Sequence, residues 1–228
     1  MWQPGARRTI TCLLLLKETG ILARMADQLT EEDIVQRLRQ FEHPVYSELI
    51  RQVDPKPARP AAVLVPLVRS DGEWHLIFTR RTDTVEHHKG QVSFPGGATD
   101  PEDLTPEDTA LREAEEEIGI RRGDVRVLGR LGEMVTISNF VVTPVVGVVP
   151  WPYGFTVHTI EVDRVFTMPL SWLAVRDNWQ EFMRVETGHS VITYFPFDGE
   201  LLWGATARIT VNFVKALGLV IDKPSPLA

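Results

Sequence analysis

The chain has a single cysteine, Cys12, among 228 residues, so it forms no intramolecular disulfide and no multi-cysteine metal site. That usage suits a reducing cytoplasm, which is the expected location. It has no surplus of basic residues: 24 Lys and Arg stand against 31 Asp and Glu, a formal net charge of −7. Nonspecific binding to nucleic acid or to an anionic membrane draws its affinity from a basic surface, so neither partner is expected. An anionic small-molecule substrate would need a local positive patch or a metal. Long apolar runs are missing too. The stretch from Cys12 to Leu16, after Arg7-Arg8, is too short to span a bilayer, and no small-residue cleavage site follows it. Internal repeats, low-complexity segments and long linkers are also lacking. Nothing in the sequence speaks to oligomeric state.

What is present is ordinary globular material, 43% hydrophobic and 24% charged, enough for one domain with a sizeable core. Residues 1–24 read as an N-terminal extension, and Met25 as an alternative translation start. Residues 25–60 read as a helix and lead-in, with Thr30-Glu31-Glu32-Asp33 at the helix start and Ile34, Leu38 and Phe41 on one face. The main domain is placed at 61–218 and a tail at 219–228. Strand signals run over 61–68 and 74–79, joined by the hairpin signal Ser70-Asp71-Gly72, and then over 125–134, 140–149, 159–166, 182–185 and 191–197. Residues 169–174 and 204–217 read as helices. Many strands with a few inserted helices make an α+β fold.

The chemistry concentrates in Arg112-Glu113-Ala114-Glu115-Glu116-Glu117-Ile118-Gly119-Ile120, downstream of Pro95-Gly96-Gly97. Thr105 is a good N-cap, Pro106 suits the first helical position, Glu107 and Asp108 favour the positive end of the dipole, and Gly119 supplies a stop. At roughly 100° per residue from Leu111, Ala114 and Ile118 share an apolar stripe near 300–340°, while Glu113, Glu116 and Glu117 fall near 200°, 140° and 240°. The three glutamates therefore project together, opposite the stripe. Glutamate runs on helices are commonly solvated faces. Here Glu113 and Glu117 form a like-charge i,i+4 pair, which costs a few tenths of a kcal/mol unless a cation sits between them. Clustered carboxylates suit hard divalent ions, and magnesium takes only one or two of them beside water and substrate phosphates. Arg112 can reach a neighbouring carboxylate and hold its rotamer.

These residues resemble the Nudix hydrolases, whose box reads G-x5-E-x7-R-E-U-x-E-E-x-G-U, with U aliphatic. Arg112 through Ile120 follows its second half. Gly97 and Arg112 lie 15 positions apart, one more than in the general box, and acidic residues such as Asp100 or Asp103 stand for the early glutamate. Residues 77–97 are similar to the segment that precedes the box in coenzyme A pyrophosphatases, with Thr79, Arg81, Gly90, Phe94, Pro95, Gly96 and Gly97 at matching positions. Glu86 departs by standing where that pattern has arginine, which leaves His87, His88 and Lys89 as substitutes. Further likeness lies at 142–147, 161–166 and 203–208, so the resemblance spans roughly residues 60–217.

The resemblance implies an α/β/α sandwich around a mixed sheet with a metal-binding loop-helix-loop. It implies Mg2+ or Mn2+ held by Glu113 and Glu117, with Glu116 close by and a glycine carbonyl, that of Gly97, joining the shell. Coenzyme A would then be cut at its pyrophosphate into 3′,5′-ADP and 4′-phosphopantetheine. Glu116 is the first choice of general base, with Glu161 or the His87-His88 pair behind it, and Arg112 completes the catalytic set. Thr79, Arg80, Arg81, Lys89, Gly96 and Gly97 are the candidate substrate contacts, although Thr79 and Arg81 serve equally well as supports for the glycine-rich loop. Trp151, Tyr153 and Phe155 can stack on adenine or anchor a loop. Two other readings compete: a broader Nudix hydrolase of ADP-ribose, dinucleotides or nucleoside triphosphates, and a noncatalytic nucleotide-binding regulator.

Overall fold

The structure, a computed structural model, describes residues 25–42, 58–82, 90–183 and 190–220. The expected extension 1–24, the segment 83–89 with Glu86, His87, His88 and Lys89, and the end of the chain from 221 lie outside the described residues.

Helix α1 (Glu31–Gln40) begins where its cap predicts: the Thr30 hydroxyl accepts from the Asp33 amide while the Asp33 carboxylate accepts from the Thr30 amide. Strands β1 (Arg59–Ser70) and β2 (Glu73–Arg81) form the expected hairpin. Its two turn residues, Asp71 at φ 52° and Gly72 at φ 85°, adopt the left-handed backbone that a tight two-residue turn needs. Strands β3 (Val92–Ser93) and β4 (Gly96–Ala98) follow, then helix α2 (Pro106–Ile118). The glycine-rich stretch read as a loop is thus partly a strand, because Gly96 and Gly97 pair with Val63 and Ala62 of β1. Next come β5 (Arg126–Arg130), β6 (Met134–Val135), β7 (Phe140–Val148) and β8 (Val162–Pro169). The single strand expected over 125–134 is split in two. Helix α3 (Leu170–Leu173), a separate hairpin of β9 (Trp179–Met183) and β10 (Ser190–Tyr194), and helix α4 (Gly204–Ala216) complete the described chain.

The eight strands β1 to β8 make one mixed sheet. β1 and β7 run parallel at its centre, every other pair is antiparallel, and β8 closes one side against β2 while β5 and β6 line the other against β7. Strand alternation sorts side chains between two cores. Ala62, Leu64, Val68, Ile77 and Val145 pack under Ala110, Ala114 and Ile118 of α2. Val65, Leu67, Leu76, Phe78 and Val146 face the opposite side, with Ile34 and Leu38 of α1 and Ala207, Val211 and Val214 of α4. The architecture is therefore an α/β/α sandwich, with α2 on one face and α1 and α4 on the other among the described residues. No helix among the described residues is long and apolar enough to cross a membrane.

Candidate active site

Helix α2 is tightly specified at both ends. The Thr105 hydroxyl and the Asp108 carboxylate form a reciprocal capping box, and Gly119, at φ 73°, ends the helix in the left-handed conformation. The segment after β7 then docks on the helix end: the Thr156 amide donates to the Ile118 carbonyl at 3.1 Å and the His158 amide to the Glu117 carbonyl at 2.9 Å. Tyr153 and Phe155 meet at a tilt, with ring centroids 5.6 Å apart, and pack against the α2 core, while the Tyr153 hydroxyl donates to Asp124 at 2.8 Å. These aromatics anchor a loop.

On the exposed side of α2, β4 lies against the helix so closely that a Cβ on Gly97 would sit 2.5 Å from Glu113 Oε1 and 2.6 Å from its Oε2. Only a residue without a side chain leaves that carboxylate where it is. Arg112 holds it from the other side, donating from Nη1 to Glu113 at 2.8 Å and to Glu116 at 3.2 Å. The guanidinium is fixed in turn by Asp103, which accepts from Nε and Nη2, and by the Ala98 carbonyl, which accepts from Nη2 at 3.0 Å. Those bonds hold the Asp103 carboxyl down at about 2 and push the Arg112 pKa up. Of the two acidic candidates in the loop, Asp103 is therefore the firm partner of Arg112, and Asp100 is 3.6 Å away.

The trio on the helix divides. Glu116 is 60% exposed at its side chain and tied to Arg112. Glu117, which helical phase places opposite the apolar stripe, is only 6% exposed, because β2, β4 and the loop after β7 close over that side. Burial, reinforced by the charges of Glu113 and Glu161, pushes its carboxyl up to about 8, against the opposing pull of Arg81 and the Gly96 amide. Burial also raises Glu113, with Arg112 opposing. The Glu117 Oε2 atom is buried without a hydrogen-bond partner.

Strand alternation also separates the two arginines of β2. Arg81 faces α2, its Nη1 3.9 Å from Glu117 Oε1. Arg80 points to the other side of the sheet, with its Nη1 3.5 Å from the buried Glu200 and its Nε 3.9 Å from Asp163. The structure does not bring Arg80 to the glutamates of α2. Thr79 faces α2 but is 1% exposed, and its hydroxyl lies 3.0 Å from that of Ser93 and donates to the Ser93 carbonyl, the bonding of a support for the β2–β3 pair. Glu161 reaches the site because Thr82, next to Arg81, donates its amide to the Glu161 carbonyl and its hydroxyl to that of Ile160. Lys89 lies outside the described residues.

Among the described residues no group of three or more His, Cys, Asp or Glu side chains is placed to hold a metal ion. Two carboxylates beside a close-packed glycine strand, one with an orphaned buried oxygen, nevertheless fit an ion that takes one or two carboxylates and fills its shell with water and phosphate oxygens. Such a pair suits a hard divalent cation together with an anionic substrate.

Residues 58–184 match the NUDIX domain. The chain is 42% identical over 161 residues to a protein named Uncharacterized Nudix hydrolase NudL from Yersinia enterocolitica, across 70% of this chain and 82% of that one. A NudL of the same description from Photorhabdus laumondii is 39% identical over 153 residues, covering 66% of this chain and 81% of its own. Among solved structures, RenU, a Nudix hydrolase from M. smegmatis, superposes with a TM-score of 0.44 at 22% identity, over 51% of this chain and 74% of that one. The chain belongs to the Nudix family and is a hydrolase of the class that acts on phosphorus anhydrides.

Proposed function

We propose that the protein hydrolyses the pyrophosphate of coenzyme A, or of its derivatives, to 3′,5′-ADP and 4′-phosphopantetheine, using Mg2+ or Mn2+ held by Glu113, Glu117 and the Gly97 carbonyl. The observation that carries the reading is the junction of two segments: the 77–97 stretch ends as the strand that packs on Glu113, and the same stretch supplies Arg81 beside Glu117. When bound, such a cation neutralises phosphate oxygens and acidifies a water.

The chain's own residues do the positioning. Asp103 and Arg112 hold Glu113 in one rotamer, and the Gly96–Gly97 strand brings backbone close to the phosphates. A water oxygen attacks phosphorus, the bond from phosphorus to the bridging oxygen breaks, and that oxygen leaves with the second phosphate. The water's proton passes to Glu161 rather than to Glu116, our first expectation, because Glu116 is engaged by Arg112. Glu161 has His158 Nδ1 3.8 Å away and lies close enough to Glu117 to raise its pKa. Lys89 remains a proposed contact to the substrate.

A broader range, including ADP-ribose and dinucleotides, is favoured by one residue: Glu86 stands where the coenzyme A pattern places arginine. Mass-spectrometric product analysis of the wild type and Glu117→Gln with coenzyme A, ADP-ribose and a dinucleotide, with and without magnesium, decides between them. Magnesium-dependent 3′,5′-ADP from the wild type alone supports the proposal. Cleavage of the other substrates alone moves the protein to the broader class, and no turnover points to a nucleotide-binding regulator.

A further inference from the structure

The arginine at the end of β2 is held in an incomplete way. Its backbone is pinned, since its amide donates to the Gln91 carbonyl at 2.9 Å and the next residue is bonded to Glu161 and Ile160. Its side chain is not. The side chain is 27% exposed, and among the described residues the Glu117 carboxyl lies 3.9 Å from Nη1, beyond hydrogen-bond reach, and the buried Nε has no partner. Opposite it, the Glu117 carboxylate is also buried with an orphaned oxygen. A buried carboxyl oxygen and a buried guanidinium nitrogen that share a space without partners cost stability, and a ligand can complete such a site. A guanidinium cannot shed its charge, and its planar fork matches two phosphate oxygens.

We propose that Arg81 is the stand-in for the divalent cation: it lies against the Glu117 carboxyl while the site lacks metal, and when metal takes Glu117 it turns its fork to the substrate's diphosphate. This rests on the reading of Glu117 as a metal ligand. Cation and guanidinium repel each other across one carboxylate, so they compete for it. The entering cation frees the arginine at the moment a diphosphate needs it, which orders metal before substrate. Arg81 thus opposes the binding of metal and favours that of the diphosphate, and metal and diphosphate strengthen each other by the same factor.

The test is calorimetric titration of Mn2+, and then of methylenediphosphonate into Mn2+-loaded protein, for the wild type, Arg81→Gln, Arg81→Lys and Glu117→Gln. Removing the charge in Arg81→Gln is expected to tighten Mn2+ binding about tenfold without substrate, within the ordinary range of site–site coupling, and to weaken methylenediphosphonate by a similar factor. Arg81→Lys, which keeps the charge and loses the fork, is expected to leave Mn2+ affinity near wild type and still weaken the diphosphonate. Unchanged or weaker Mn2+ binding by Arg81→Gln, with Glu117→Gln having lost it, overturns the stand-in role and leaves the metal site standing. Undiminished Mn2+ binding by Glu117→Gln overturns the metal reading itself.

Discussion

Adjacent glycines in β4 should respond to the same substitution in opposite ways. Alanine at Gly97 would place its Cβ 2.5–2.6 Å from three atoms of the Glu113 side chain, where ordinary contacts begin at 3.4 Å. The carboxylate must retreat by roughly 0.8–0.9 Å, and it can, because it is the far end of a flexible side chain. Gly97 does not need a positive φ, so the backbone tolerates alanine. Displacing a reacting-site group by about 1 Å costs on the order of 100-fold in rate. Alanine at Gly96 instead meets backbone, the Ala62 carbonyl at 2.5 Å and Val63 Cα at 2.6 Å, so relief requires β4 to part from β1. Overpacking of that kind costs about 1–3 kcal/mol, and each kcal/mol lowers Tm by about 2–4 °C in a chain of this size. Thermal melting by circular dichroism, paired with magnesium-dependent turnover, reads both effects. Gly97→Ala should melt near wild type with kcat/KM about 100-fold down, whereas Gly96→Ala should melt several degrees lower. Full activity in Gly97→Ala, or equal loss of Tm in the two variants, would refute the placement of Glu113 against β4.

Burial lifts the folded Glu117 carboxyl from 4.5 to about 8, so the metal-free fold keeps its full stability below the ordinary glutamate value and loses some as pH rises toward 8. Glu117→Gln in EDTA should therefore melt above wild type at pH 9 and close to it at pH 4.5, with a gain bounded at about 5 kcal/mol; a gap that does not grow with pH would contradict the burial. Asp103→Ala removes the acceptor that fixes Arg112, and a lost support of this kind costs about 10–100-fold in metal affinity or activity. Mn2+ titration and kcat/KM both at wild-type values would show that Arg112 needs no such partner.

Much of this protein was legible before any coordinates. Helix α2 was readable because its caps are local: Thr105, Pro106 and Gly119 act within a turn of the residues they cap. The β1–β2 hairpin was readable for the same reason, in Asp71 and Gly72. The acidic cluster and the preceding segment carried the family. Helical phase could say that Glu113, Glu116 and Glu117 share a side, but not what covers it. Only the folding of β4, β2 and the loop after β7 over that side makes Glu117 buried and Glu116 exposed. Neither could adjacency in sequence separate Arg80 from Arg81, which the pleat of β2 sends to opposite faces, nor choose Asp103 over Asp100. Signals that act within one turn of a helix or one hairpin are written in neighbouring residues. The burial and pairing of a charge depend on chain segments far away in sequence, so tertiary structure alone decided them.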